Sequence, residues 1–444
     1  MPPTVFPTGT TIYKPEQCWN GYTIYPTTTE TGAVLIDMNG NVVKSWPQFQ
    51  GYPLLLLPEG QIIGGQVGRV TRTYDHELGS DDVVQEDWDG NVLWKFGEAD
   101  QVEVEGQLLW SARQNHDNVR EGCPVGYYVP ELTPKSREAK TLILSQKSGR
   151  WPHITQDYLP RAARIIEVDW EGHIGWEWMP AEHFEGFEHS EAAKQAIMNW
   201  CRSQHCVFLN TASYVGPNKW YDRGDERFHP DNIITDDRGT MVFIISKQTG
   251  QIVWKIGPEY TATSALRDLE PLIGPHHAHI IPKGLPGEGN ILVFDNGGAA
   301  GFGPPNPGSP TGAWNALRDY SRVLEIDPIT LKIVWQYTAR TAGYLAFAED
   351  SKFYSHFKGA AQRLPNGNTL ITESNYGRLI EVTRDCETVW EYISPYNLST
   401  TVFSSDIFRA YRYPYEWAPQ LDTPVQRAVI PPANSEFRIE PVGS

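Results

Sequence analysis

Twelve histidines are spread through the 444 residues, and several stand just ahead of short apolar segments. His116 lies in Gln114-Asn-His-Asp-Asn118, and His205 lies in Ser203-Gln-His-Cys206. His276, His277 and His279 precede Ile280-Ile-Pro, and His356 opens the run Ser355-His-Phe-Lys-Gly-Ala-Ala-Gln-Arg-Leu-Pro365. Imidazoles gathered from distant segments support two chemistries. Four of them, His116, His205, His277 and His356, suit a divalent transition metal with an open coordination position. Alternatively one imidazole, His356 or His277, takes a sulfuryl or phosphoryl group as nucleophile. The others, His116, His205 and His279 among them, then serve as acid, base or oxyanion donors. That second design wants a cation beside the anionic group. Arg363, Lys358, Arg378 and Arg113 are close in sequence to the same segments, and Asn296 adds a neutral donor. His229, in Phe228-His-Pro-Asp-Asn232, reads as turn chemistry, and His76, His153, His173, His183 and His189 read as residents of turns or inserted loops.

Such residues meet only if the fold brings equivalent positions to one point. A recurring pattern supplies that fold: an apolar run, an Asp or equivalent, a turn, then Val/Ile and Trp. It appears at Leu35–Trp46, Val84–Trp94, Ile165–Trp176, Val242–Trp254, Val323–Trp335 and Leu379–Trp390. Each copy reads as a β-hairpin, with turns built from Asn-Gly, Asp-Gly, Thr-Gly or Asp-Pro among them. A terminal Trp suits a half-buried pleated surface and packs between neighbouring sheets. Six hairpins, each the outer half of a four-stranded blade, predict an all-β chain folded as a six-bladed β-propeller, residues 1–444 forming a single domain. Inner strands then follow turns such as Leu364-Pro-Asn-Gly-Asn368 and line the axis, where the histidines converge. Alternation along a strand places His277 and His279 on one side and His276 on the other. Two insertions are predicted: a helical one over 181–204, with Ala192, Ala193, Ala196, Ile197 and Trp200 at helix spacing, and an aperiodic Gly/Pro-rich loop over 297–313.

Composition narrows the partners. The net charge is −17, with no basic run, which argues against nucleic acid and anionic membranes. No apolar stretch nears the ~20 residues of a membrane span. No basic and apolar leader is visible at Met1-Pro-Pro, so a soluble protein of the cytoplasm is expected, or of the periplasm had a leader been removed. Five cysteines without a Cys-x-x-Cys pair read as thiols in a reducing compartment. Nucleotide-binding and serine-hydrolase motifs are absent from the sequence. The oligomeric state is left open.

The chain resembles the arylsulfotransferase family of six-bladed propellers. The resemblance is carried by Gly32-Ala-Val-Leu-Ile-Asp-Met-Asn-Gly-Asn-Val-Val-Lys-Ser-Trp46, Gly250-Gln-Ile-Val-Trp-Lys-Ile-Gly257 and His276-His-Ala-His279 followed by Phe294-Asp-Asn-Gly297. Ala361-Gln-Arg-Leu-Pro-Asn-Gly-Asn-Thr-Leu-Ile371 adds to it. It implies transfer of sulfate between phenols through a sulfated histidine, with a small aromatic substrate and no PAPS or other cofactor. It also implies that His205 opens the inner strand of the fourth blade, that His277 is the histidine upstream of Phe-Asp-Asn-Gly, and that His356 stands where the nucleophile is sought. One departure is plain: the family's arginine follows Phe-Asp-Asn-Gly closely, whereas here no arginine occurs before Arg318. The leading expectation is therefore an arylsulfotransferase-like transferase. The alternative is a His-ligated metalloenzyme of hydrolase, lyase or oxygenase class, and a non-catalytic binding propeller comes third. Near-stoichiometric metal that chelation removes together with activity would decide for the second.

Overall fold

The computed structural model describes residues 8–27, 29, 31–49, 53–66, 82–97, 100–104, 107–111, 116–155, 160–201, 205–396 and 406–431, with side chains of 100–111 left aside. Six antiparallel sheets form the ring. Blade 1 runs from the axis outward as Tyr411–Tyr413, Tyr22–Pro26, Ala33–Ile36 and Val42–Trp46. Blade 2 is Leu55–Leu57, Gln61–Gln66, Asp82–Glu86 and Val92–Phe96. Blade 3 is Asp117–Arg120, Thr141–Ser148, Arg161–Val168 and Ile174–Trp178. Blade 4 is Ser213–Tyr214, Ile233–Asp236, Val242–Ile245 and Ile252–Ile256. Blade 5 is Pro275–Ile280, Ile291–Asp295, Arg322–Ile326 and Ile333–Tyr337. Blade 6 is Ala360–Arg363, Thr369–Glu373, Arg378–Val382 and Thr388–Ile393, and Gly9–Tyr13 adds a fifth strand outside it. The all-β, six-bladed expectation holds, and all six sequence hairpins are the third and fourth strands of their blades.

The repeat has a physical cause at each step. Third strands such as Val242–Ile245 are buried throughout because a blade lies against each of their faces. Fourth strands such as Val42–Trp46 bury only part of their length. Every third strand meets its fourth strand with a register shift one residue before the turn, at Leu35/Ile36, Gln85/Glu86, Glu167/Val168, Ile244/Ile245, Glu325/Ile326 and Glu381/Val382. In three turns an Asp carboxylate accepts the backbone N–H four residues on, Asp37 from Asn41, Asp87 from Asn91 and Asp169 from His173, at 2.7–2.8 Å. The glycines before those acceptor partners have φ of +86° to +90°, which a side chain resists.

The terminal Trp of a hairpin then reaches the next blade. Its indole N–H donates to a carbonyl in the neighbouring turn: Trp94 to Trp170, Trp176 to Lys247, Trp254 to Pro328, Trp335 to Arg384 and Trp390 to Met38, at 2.8–3.1 Å. At the sixth seam Lys44 takes over, donating to the Trp88 carbonyl at 2.8 Å while Trp46 meets the Trp88 ring edge-on. Nearer the axis, the third strand of one blade is paired with the inner strand of the next. Arg120 bonds Gln85, Tyr214 bonds Glu167, Arg363 bonds Glu325 and Arg412 bonds Glu381. Three of these guanidinium groups also lie over the Trp of the preceding blade: Arg120 over Trp94, Arg363 over Trp335 and Arg412 over Trp390.

The inserted segments gather on one face. Between blades 3 and 4 a 3-10 turn, Pro180–Phe187, precedes helix α1, Glu191–Cys201. Of the stretch expected as an aperiodic loop over 297–313, residues 303–312 connect two paired strands, Gly298–Phe302 and Ala313–Arg318, inserted between the second and third strands of blade 5. Cys201 is disulfide-bonded rather than a thiol, whereas Cys18, Cys123 and Cys386 are free. Among the described residues no helix is long and apolar enough to cross a membrane.

Arg412 and Glu381 are both fully buried where the last strand joins the first blade. Arg412→Met is expected to leave the buried Glu381 carboxylate to neutral donors such as the Trp19 N–H and the Asn368 amide, and to cost about 3–5 kcal/mol of unfolding free energy. Urea denaturation measures it, and a loss below ~1 kcal/mol would show that this seam does not hold the ring.

Candidate active site

All inner strands begin at the same end of the axis, and their first residues touch. The Asn118 amide donates to the Pro53 carbonyl, the Asn210 amide to the Pro275 carbonyl, and the Ala212 N–H to Asp117. Ala278 N–H donates to Asp236, and Ala361 N–H to His277 Nδ1. The backbone is contorted here. His116, His277 and Lys358 have φ of +68°, +57° and +60°, in the left-handed region that non-glycine residues avoid. At His277 the strand bulges, and the register with Ile291–Asp295 slips between His276 and His279.

The three histidines of that strand acquire different tasks. His279 donates from Nδ1 to the His277 carbonyl and accepts at Nε2 from the Tyr127 hydroxyl, both at 2.8 Å. His277 accepts at Nδ1 from Ala361 N–H, so its Nε2 donates to the Tyr411 hydroxyl at 2.9 Å. The two rings lie 4.5 Å apart and are almost wholly covered. Both nitrogens of each are engaged. His276 is different. Its Nδ1 donates to the Asn296 side-chain oxygen at 2.7 Å and to the Gly274 carbonyl at 3.0 Å. Nε2 therefore carries a lone pair, and among the described residues it has no hydrogen-bond partner. Asn296 is itself aimed by donating to the Ser355 and Lys358 carbonyls.

Around His276 stands a cup of positive charge. Arg409, 2% exposed, pairs with Asp117 at 3.0 Å and donates to the Tyr411 hydroxyl at 3.1 Å. Its Nε and Nη2 are buried without a partner among the described residues, an arrangement that favours a negative charge nearby. Lys358 pairs with Asp406 at 2.9 Å, and Arg238 is exposed to solvent in the turn after the second strand of blade 4. His116, edge-on to Phe208 and Phe408, is pushed well below the ordinary histidine value by burial, and then by the nearby His276, Arg238, Lys358 and Arg409. Burial takes His276 down to about 4, with Arg409 and Arg238 adding to the effect, and takes His279 to about 3. Burial and Arg409 hold His277 well below its ordinary range. The site histidines are neutral at pH 7.

Of the residues singled out in the sequence, His116, His277, His279, Asn296 and Lys358 come together. His356 sits beside them but on the exposed rim, next to Phe357 and Tyr354. Arg363 is fully buried and spent on Glu325, and Arg378 is paired with Glu373 and Glu391. His205 does not open the inner strand of blade 4, which starts at Ser213. Its backbone instead pairs in parallel with Arg161 on blade 3, and its side chain lies outside those described. Arg113 and His76 lie outside the described residues. Of the four histidines expected as a metal set, His277 has both nitrogens engaged, His356 lies on the exposed rim, and the side chain of His205 is outside those described. Among the described residues no three His, Cys, Asp or Glu side chains are grouped to hold a metal ion. Sequence reasoning missed His276, Arg238 and Arg409. The first was set aside by strict strand alternation, and the two arginines carry no motif, although Arg409 stands two residues from a strand-like Tyr411-Arg-Tyr413.

Neutral imidazoles thus face buried and exposed cations at one end of the propeller axis. The chain belongs to the Arylsulfotransferase (ASST) family, whose model matches residues 139–395, more than half of its length. No curated protein matches the sequence significantly. Among solved structures it is similar to a protein of unknown function from Bacteroides caccae, at 13% identity and a TM-score of 0.45 over 88% of this chain and 98% of that one. It is also similar to a streptogramin B lyase, at 11% identity and 0.36 over 90% and 85%. A third is the WD40 propeller domain of Doa1, at 8% identity and 0.35 over 88% and 85%.

The lowered histidines and raised acids set a pH optimum for stability. Below pH ~6.5 the unfolded chain protonates its histidines while His116, His276, His277 and His279 stay neutral in the fold, so stability falls with acid. Burial raises Asp236 to about 8 and Asp237 to about 7, which subtracts stability as pH rises from ~4 to 8. His183, His189 and His356 are lowered as well and Asp117 is raised, so lowered histidines outnumber raised acids below pH ~6.5, and the acids act alone above it. Thermal midpoints should therefore peak between pH ~6 and ~7, and a midpoint still rising at pH ~8 would contradict these protonation states.

Proposed function

We propose that the axial cup transfers a sulfuryl group from an aryl sulfate to a phenol, with His276 carrying the group in between. The observation that supports this reading is the His276 geometry. Asn296 and Gly274 hold Nδ1–H, and Nε2 keeps a lone pair with no partner among the described residues, amid Arg409, Arg238 and His116. An imidazole that is neutral and oriented through its second nitrogen is an activated nucleophile.

In the first half-reaction the Nε2 lone pair attacks sulfur, an N–S bond forms, and the S–O bond to the aryl oxygen breaks. His116 is neutral at pH 7 and supplies no acid proton, so the leaving oxygen departs as phenolate, stabilised by the Lys358 and Arg238 charges. In the second half the acceptor phenol gives its proton to His116 as its oxygen attacks sulfur, and His116, held well below its ordinary value, then passes that proton to solvent. The N–S bond breaks and its electron pair returns to Nε2. No nucleotide or metal enters these steps. Asn296, His277 and Tyr411 are positioning residues: Asn296 aims His276, and the Tyr411–His277 pair fixes Arg409.

With nitrophenyl sulfate and no acceptor, the enzyme should release one equivalent of nitrophenolate and leave a sulfonated peptide containing His276. His276→Ala should remove the burst and lower transfer to phenol by about a thousandfold or more. Asn296→Ala should lower kcat with a smaller effect on KM. Transfer by His276→Ala within ~10-fold of the parent would sink the assignment.

A further inference from the structure

A second compartment adjoins the cup. Between α1 and the inserted hairpin lies a narrow, partly open cleft lined by Ile197, Trp200, Phe208, Phe302, Trp314 and Arg238. Trp200 and Trp314 meet edge to face at 5.0 Å, and Phe302 lies 6.4 Å from Trp314. The Arg238 guanidinium lies 4.7 Å from the Trp314 ring and 5.8 Å from that of Phe208. Phe208 in turn is edge-on to His116 at 5.0 Å. Phe208 and Arg238 thus belong to both compartments. Asp237 borders the cleft, but its carboxylate accepts the Met241 N–H at 2.7 Å.

The backbone around the cleft is held against its preference. Trp314 has φ of +60° and Val207 has φ of +42°, where a bulky or β-branched residue is an outlier. Strain of this kind persists where surrounding structure imposes it and gathers at ligand clamps. Flat aromatic walls favour a planar partner, through stacked or edge-to-face contacts. Arg238 is the only cation among the cleft's described lining, and it stands at the junction with the cup. A ligand that fits both compartments is therefore an uncharged ring whose anionic group points to that junction.

We propose that this cleft binds the aromatic ring of the substrate while the attached oxygen and sulfuryl group sit in the cup. The ligand class is a planar, otherwise uncharged aryl sulfate of one or two fused rings. The inference rests on the sulfuryl-transfer reading of the cup and adds where the ring lies and what it is.

The test is a calorimetric titration with 2-naphthalenesulfonate, whose C–S bond offers no ester oxygen to leave, and with inorganic sulfate. The proteins are the full chain and its Trp314→Leu, Phe302→Ala and His276→Ala variants, each checked by thermal melting. The parent and His276→Ala should bind naphthalenesulfonate. Both cleft variants should bind it about tenfold more weakly, or worse, while binding sulfate as the parent does. If Trp314→Leu does not fold, Phe302→Ala carries the same expectation. Naphthalenesulfonate binding unchanged in a folded cleft variant, or absent from the parent, overturns the inference. The two readings fail separately. A transfer-dead His276→Ala alongside indifferent cleft variants removes only the cleft. An active His276→Ala alongside weakened cleft variants removes only the histidine assignment.

Discussion

The molecule depends on the seam between blades. At five of six seams an indole N–H crosses to a turn carbonyl of the next blade, and at the sixth a lysine ammonium does so. A hydrogen bond of this type contributes only ~0.5–1.5 kcal/mol. Its greater effect is geometric, since it fixes how far each sheet is rotated from its neighbour. The inner pairs follow the same logic with varied chemistry. Gln85, Glu167, Glu325 and Glu381 face Arg120, Tyr214, Arg363 and Arg412. The two remaining seams place Leu35 with Leu57 in one apolar cluster and Ile244 with Ile280 in another. Polar third strands meet polar partners and apolar ones meet apolar partners, so no buried acid of this set is left alone.

Ring closure and site assembly are one event. Blade 1 is completed by Tyr411–Tyr413, so its innermost strand comes from the far end of the chain, while Gly9–Tyr13 closes the outside of blade 6. The residues just before that closing strand bring Arg409 to Asp117 and Tyr411 to His277. A chain that had not closed would hold His276, His277 and His279 on blade 5 without the charge opposite them. The cup is therefore a property of the closed ring and of no single blade.

Much of the fold was legible because its signals are local and repeated. Each hairpin carries its own turn chemistry and a Trp, and six copies leave little choice of architecture. The site was legible only in outline. Histidines ahead of inner strands pointed to the right end of the axis, and His116, His277, His279, Asn296 and Lys358 do meet there. What failed were inferences that need the third dimension. Alternation set His276 aside, but a bulge and a left-handed residue at His277 redirect the strand. Arg363 looked like a free cation until its partner, Glu325, was seen 38 positions upstream in sequence and on the adjoining blade. The arginines that act on His276 are Arg409 and Arg238, and neither follows Phe294-Asp-Asn-Gly297 closely. They arrive from the closing segment and from a turn, where no spacing rule applies.

The cations at the cup have two effects that reinforce each other. A chain of net charge −17 repels an anion at long range, so local positive charge must offset that field at the point of binding. The same charges oppose protonation of their neighbours. His116 feels Arg238, Lys358 and Arg409, and His276 feels Arg409 and Arg238. Burial is the larger cause in both cases, but the cations act in the same direction. In the proposed transfer an imidazole attacks sulfur and needs its lone pair, and a protonated one has none to offer. In water a neutral histidine at pH 7 is only partly assured, with its ordinary value near 6.5. On that proposal, attraction for the anion and neutrality of the nucleophile follow from the same groups, and neither is bought at the other's expense.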